Sequence, residues 1–275
     1  MKAIDFRFRP PTEAFKLSHR ALDDMLGSRV AESWYNASIE DCVKEMEELD
    51  LAGVVLGRLA PPSLAVSNDH VKELADDYPE RFIPVAGIDP THRRACQDEI
   101  DRIAELGFKG VHFDHGFVNP PMLPNDSRLY PIYARCEDLD LILCLTIGPV
   151  AGKDISYSSP LPVEQVAIDF PKLRIVIAHG CWPLIDDVIS VMWRQPNIWL
   201  SPDSYHYRPG GYRYVEYFNI SSPLQDRYLY GSSYPFGVGT SIKDKLEAWN
   251  KLPWDETLKE KLLCGNATRL LGITK

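Results

Sequence analysis

Apolar and polar residues alternate from the start of the chain: Ile4, Phe6 and Phe8 against Asp5, Arg7 and Arg9, closed by Pro10 and Pro11. A period of two predicts a strand. Short apolar runs recur and predict further strands at 53–57, 82–88, 109–114, 141–147, 174–179, 197–201 and 227–233. Between them apolar positions fall at helical spacing, clearest in Ala95, Ile100, Ile103 and Ala104. Helices are expected at 38–50, 68–78, 91–106, 131–138, 162–170, 184–194, 212–218 and 242–251, with pieces at 256–263 and 266–271. The segment 12–37 has no single strong period.

Strands alternating with helices are the pattern of a parallel sheet, and the runs 141–145 and 175–178 are apolar throughout, as in strands covered on both faces. No phosphate-binding glycine motif follows an early strand, which argues against a doubly wound open sheet. Loops entering strands are tight (106–108, 138–140, 171–173), whereas loops leaving them (10–37, 115–128, 148–161, 202–211) are long and rich in Gly, Pro and aromatics. One elaborated face at the C-terminal ends of the strands is where barrel enzymes keep their chemistry. The expected fold is an α/β protein, a single (β/α)8 TIM barrel, with one domain over 1–275. The length of 275 residues suits it.

Composition narrows the partners. A net charge of −9 offers no basic face to nucleic acid or an anionic membrane. No apolar run approaches the ~20 residues of a membrane span, and Asp5, Arg7 and Arg9 interrupt any signal-peptide core. The 6 cysteines are scattered without CxxC spacing, which fits reduced thiols in a cytoplasmic protein. The stretch 205–217, aromatic and Gly-rich, suits either a mobile lid or a contact in a homo-oligomer.

In a barrel the strand-terminal residues carry the chemistry: Arg7 and Arg9, His112 and Asp114, Thr146, His179, Ser201 and Asp203, Ser232 and Ser233. The alternation puts Asp5, Arg7 and Arg9 on the barrel axis. Buried there, they form either an ion-pair network with Asp114 or Asp203, or a site for an anion. His179, ending an apolar strand before Gly180, is placed to reach a ligand. Cys181 is expected to be a small buried residue and no nucleophile.

Several segments together resemble a known family. They are Ile4-Asp5 opening the first strand, the 82–90 strand, Gly107-Phe108-Lys109-Gly110-Val111, Ile177-Ala178-His179-Gly180, Tyr230-Gly231-Ser232-Ser233-Tyr234-Pro235-Phe236 and Gly265-Asn266-Ala267-Thr268-Arg269. In this order the chain resembles the amidohydrolase superfamily, and within it the decarboxylase-like amidohydrolase-2 group. The resemblance implies hydrolysis or lysis of a C–O, C–N or C–C bond in a barrel that usually holds a divalent metal. Its ligands would be a His-x-His on the first strand, histidines on the fifth and often the sixth, and an Asp on the eighth. Here those positions are Arg7 and Arg9, Thr146, His179 and Ser233. Guanidinium has no lone pair to give a metal, so the expectation is a degenerate metal site with no cofactor. A relocated divalent metal at Asp114, His179 and Asp203 is the alternative. The expected chemistry is binding of a small carboxylate or lactone by Arg7 and Arg9, with His179 as acid or base oriented by Asp114 or Asp203. His112, Thr146, Tyr205 and Ser233, with His206 and Tyr207, would line the substrate. A protein that binds a small organic acid without turning it over is the alternative function.

Overall fold

A computed structural model describes residues 1–27 and 30–273, so residues 28 and 29 of the long connection 10–37 lie outside the described part. Seven parallel strands run in chain order: β1 (Ala3–Phe8), β2 (Leu51–Leu56), β3 (Phe82–Gly87), β4 (Gly110–Phe113), β5 (Ile142–Thr146), β6 (Ile175–Ala178) and β7 (Ile198–Ser201). The helices are α1 (Glu13–Leu26), α2 (Glu32–Asn36), α3 (Ile39–Glu48), α4 (Asn68–Asp77), α5 (Arg93–Glu105), α6 (Tyr130–Asp138), α7 (Leu161–Asp169), α8 (Ile185–Arg194), α9 (Tyr212–Ile220), α10 (Ser222–Gln225), α11 (Ile242–Asn250) and α12 (Asn266–Leu271). Strands alternating with helices around a nearly closed sheet make this a TIM barrel. No helix among the described residues is long and apolar enough to cross a membrane.

Helix starts follow side-chain chemistry. Ser38, Ser67 and Ser241 each accept a hydrogen bond from a backbone N–H three residues on, capping α3, α4 and α11. The segment without a clear period holds α1 and α2. The expected helix 256–263 is instead a 3-10 turn (Glu256–Leu258) and a π-turn (Lys261–Gly265) running into α12.

The expected strand at 227–233 is corrected. Its backbone enters the barrel gap, with Leu200 N–H donating to Arg227 O, Leu229 N–H to Leu200 O and Phe6 N–H to Tyr230 O. Only one bridge, Leu200 with Tyr228, reaches strand geometry. The physical reason is Asp5. Its buried Oδ1 accepts the N–H groups of both Arg7 and Ser232, so a side chain replaces the ladder where the eighth segment would pair with β1. Asn266 holds the same segment, donating to Gln225 O and Tyr228 O.

The expected alternation on β1 is corrected too. Ile4 and Phe6 pack with Ala52, Val54, Ile142, Cys144 and Val176 of facing strands, so the two apolar side chains fill the barrel. Between Asp5 and Phe8 the register slips, three steps on β1 matching two on β2. That bulge lets Arg7 follow Phe6 on the inner side and turns Phe8 to the helix layer.

Candidate active site

The C-terminal ends of the strands surround a cavity of about 580 Å³. Its base is cationic: Arg7, Arg9 and Arg58 line it, with Arg208 exposed at the rim. Leu22, Phe117, Val150, Phe236 and Val238 make the outer wall apolar.

His179 stands at the end of β6, partly open to this cavity. Its Nδ1 lies 2.8 Å from Asp203 Oδ2 and its Nε2 lies 3.4 Å from Arg7 Nη2. A carboxylate on one side and a permanent donor on the other assign the tautomer: the proton is on Nδ1, and Nε2 carries the lone pair. Burial lowers the pKa of His179, Arg7 adds to that, and Asp203 opposes it. The ring is therefore neutral near pH 7.

Asp203 is buried behind His179. Its Oδ1 accepts from Ser201 Oγ at 2.5 Å, and Oδ2 accepts the His179 backbone N–H at 3.1 Å and faces Arg7 Nε at 3.4 Å. Burial alone would raise this carboxyl, but the contacts with His179, Arg7 and Ser201 outweigh it and hold the group below its ordinary value. Of the two candidates to orient His179, Asp203 does so. Asp114 does not: its Oδ2 lies 2.7 Å from Arg58 Nε and its Oδ1 3.6 Å from His112 Nε2. Burial raises Asp114, yet the Arg58 charge and His112 keep it well below the usual carboxylate range.

Space for Asp203 comes from the eighth segment. A Cβ on Gly231 would fall 2.5 Å from Ser201 Oγ and 2.6 Å from Asp203 Oδ1. Gly231→Ala is expected to push this carboxylate off His179 and to cost about 1–3 kcal/mol by overpacking. A thermal melt and a turnover assay check it; an unchanged melting temperature would contradict the packing. The backbone is strained at the same place, since His179, Asp203 and Ser233 all have positive φ (65°, 57° and 60°). Such conformations persist where the surrounding contacts over-determine them, and they cluster at functional sites.

The remaining expected residues divide. Arg7, Arg9, Asp114, Thr146, Tyr205 and Ser233 line the cavity with His179. Tyr207 lines it too, and Tyr205 meets the His179 ring edge-on at 5.2 Å while stacking on Trp182. His112 is set behind the wall, its Nδ1 donating to Gly57 O and its Nε2 beside Thr146 Oγ1. His206 is a core residue instead of a lining one. It donates to Asp203 O and packs against Tyr214, Tyr228 and Trp254, and burial lowers its pKa to about 4. The expected ion pairs of the arginines with Asp5 are not formed, because Asp5 is engaged with backbone.

Arg58 is the functional candidate that the sequence pattern did not single out. It follows Gly57 at the end of β2 and is fixed by paired backbone hydrogen bonds with Val66. Its Nε faces Asp114, and Arg58 also lines the cavity.

The donor set does not fit the divalent metal of the resembled family. At the ligand positions Arg7 and Arg9 offer cations, and Thr146 and Ser233 offer neutral hydroxyls. Asp114 and Asp203 are each held by a different arginine. Among the described residues no three His, Cys, Asp or Glu side chains come together in a way that could hold an ion, at Asp114, His179 and Asp203 or elsewhere.

Comparison with known proteins agrees with this architecture. An uncharacterized TIM-barrel protein from Bordetella bronchiseptica is 36% identical, covers 99% of each chain and superposes with a TM-score of 0.87. The 2,6-dihydroxybenzoate decarboxylase from Rhizobium shares the fold at 16% identity, with a TM-score of 0.73 over 99% of each chain. A 2-amino-3-carboxymuconate-6-semialdehyde decarboxylase from Dictyostelium discoideum is 25% identical, over 83% of this chain and 73% of that protein. The sequence profile described as Amidohydrolase matches residues 35–273, which hold β2 to β7, and the chain belongs to the amidohydrolase family.

Proposed function

We infer that this chain is an enzyme cleaving a C–O, C–N or C–C bond of a small carboxylate, using fixed arginines where its relatives use a metal ion. The observation that carries this is Arg7. Its Nε is turned to Asp203 and its Nη2 to His179, while Nη1 is buried and has no hydrogen-bond partner among the described residues. A buried guanidinium edge without an acceptor is costly and calls for an anion. Arg9 and Arg58 stand beside it, and burial together with the Arg7 and Arg58 charges lowers the pKa of Arg9. An incoming carboxylate relieves that mutual repulsion. The relative from Dictyostelium discoideum, named for a carboxylated substrate, supports the same substrate class.

In this site His179 Nε2 acts first as a base, taking a proton from water or substrate, and Asp203 stabilises the imidazolium that forms. Arg7, 3.4 Å from Nε2, then disfavours the charged ring and drives the proton on to the product. Negative charge developing on the substrate meets the guanidinium groups in a largely buried site, where preorganised charge is effective.

Arg9→Met is expected to abolish stabilisation by carboxylates in a thermal-shift screen. Product analysis then follows on the acids that stabilise the wild type. EDTA should leave turnover unchanged. Loss of activity on chelation would reject the arginine mechanism, and stabilisation without product would leave a binding protein.

A further inference from the structure

The three arginines at the cavity base also line a second, smaller space. Beside α1 lies a small chamber of about 20 Å³, lined by Arg7, Arg9, Arg58, Ser18, His19 and His112 among others. Its uncharged polar side chains are nearly all accounted for. Ser18 Oγ donates to Leu64 O, and His112 is engaged by Gly57 and Thr146. His19 is the exception. It is 2% exposed, and its Nδ1 donates to Phe15 O at 2.8 Å, so Nε2 carries the lone pair. That Nε2 is buried and has no hydrogen-bond partner among the described residues. The ring cannot swing to find one. It is packed between Trp34 and Phe236, with centroids 4.9 and 5.2 Å away. Nor does it take up a proton, since burial, then Arg9, hold its pKa well below the ordinary histidine value.

Arg9 has the complementary problem. Among the described residues no carboxylate lies within ion-pair distance of it. Among those residues it is held only by a 3.5 Å hydrogen bond to Tyr234 O and by the face of Phe236. A group fitting both needs must accept from guanidinium and donate to imidazole. It must also fit ~20 Å³, about one water molecule.

We propose that the chamber is a one-water site bridging the Arg9 guanidinium to His19 Nε2, which makes His19 a positioning residue for the substrate-binding arginine. The water site rests on the chamber alone; the consequence for binding rests on the carboxylate function inferred above. A crystal structure of the wild type at a resolution that orders water should show one water within hydrogen-bond distance of both groups. A dry chamber, or a direct bond from His19 Nε2 to a protein atom, overturns the proposal. Benzoate titrated calorimetrically into wild type, His19→Phe and His19→Gln reads the consequence. His19→Phe keeps the stacked ring but removes the acceptor, and is expected to raise the benzoate Kd about tenfold. His19→Gln, whose amide oxygen can accept from the same water, is expected to restore most of the affinity. Equal losses in the two variants overturn the positioning role. Failure of the wild type to bind benzoate counts against the carboxylate function, while the density still decides the water.

Discussion

His179→Gln is expected to lower kcat by about a hundredfold to ten-thousandfold, the span of a lost general acid or base, while carboxylate binding stays nearly unchanged. The separation follows from the geometry. Arg7, Arg9 and Arg58 carry the anion, and two of them keep a carboxylate partner without the His179 ring: Arg7 faces Asp203 and Arg58 faces Asp114. The pH profile adds a second signature. Burial lowers the pKa of His179, so the folded ring keeps its neutral, basic form below the ordinary histidine value of about 6.5. Activity should be present at neutral pH and lost as the pH falls through that lowered pKa, giving an acid limb in kcat/KM below about 6.5. The limb should vanish from the residual activity of the variant. A variant keeping more than a tenth of wild-type kcat, or one with the limb intact, would move the proton-transfer role elsewhere.

Much of this site was legible because barrels place chemistry by rule. Arg7, Thr146 and His179 end predicted strands, and in the structure all three face one cavity. The same rule applied to β2 would have found Arg58, one residue past Gly57. It stayed hidden because a lone arginine after a glycine looks like any surface loop. His19 gave no signal at all, since α1 lies in a stretch without a clean apolar period. Its importance comes from Phe236, more than two hundred residues away in sequence. The eighth strand was over-read for a similar reason. Tyr228, Leu229 and Tyr230 have strand composition, but Asp5 supplies the hydrogen bond the ladder would have made, and composition does not record such a substitution. The choice between Asp114 and Asp203 was likewise undecidable from spacing, because it depends on which arginine reaches which carboxylate.

Arg7→Met is expected to be the most destabilising single change in the site, costing about 3–5 kcal/mol, because it leaves Asp203 buried without its cation. For a chain of this length that is a fall in melting temperature of roughly 10 °C. The loss should be partly reversed in Arg7→Met/Asp203→Asn, where the stranded charge is also removed. It should also depend on pH, with a sign fixed by the wild type. Folding depresses the pKa of Asp203, so its stabilisation is present above the unfolded carboxylate value of about 3.9 and is lost only as pH falls through the lower folded value. Without Arg7 the carboxyl shifts upward, so the gap in melting temperature between variant and wild type should be widest at neutral pH and narrow toward pH ~4. His179 reports the same event from the other side. Arg7 lowers its pKa, so removing that charge should raise it, and an imidazolium can then answer Asp203 in the cation's place. NMR titration of the His179 ring would show this as an upward shift; an unmoved pKa would mean that Arg7 acts on the ligand alone and takes no part in setting the base.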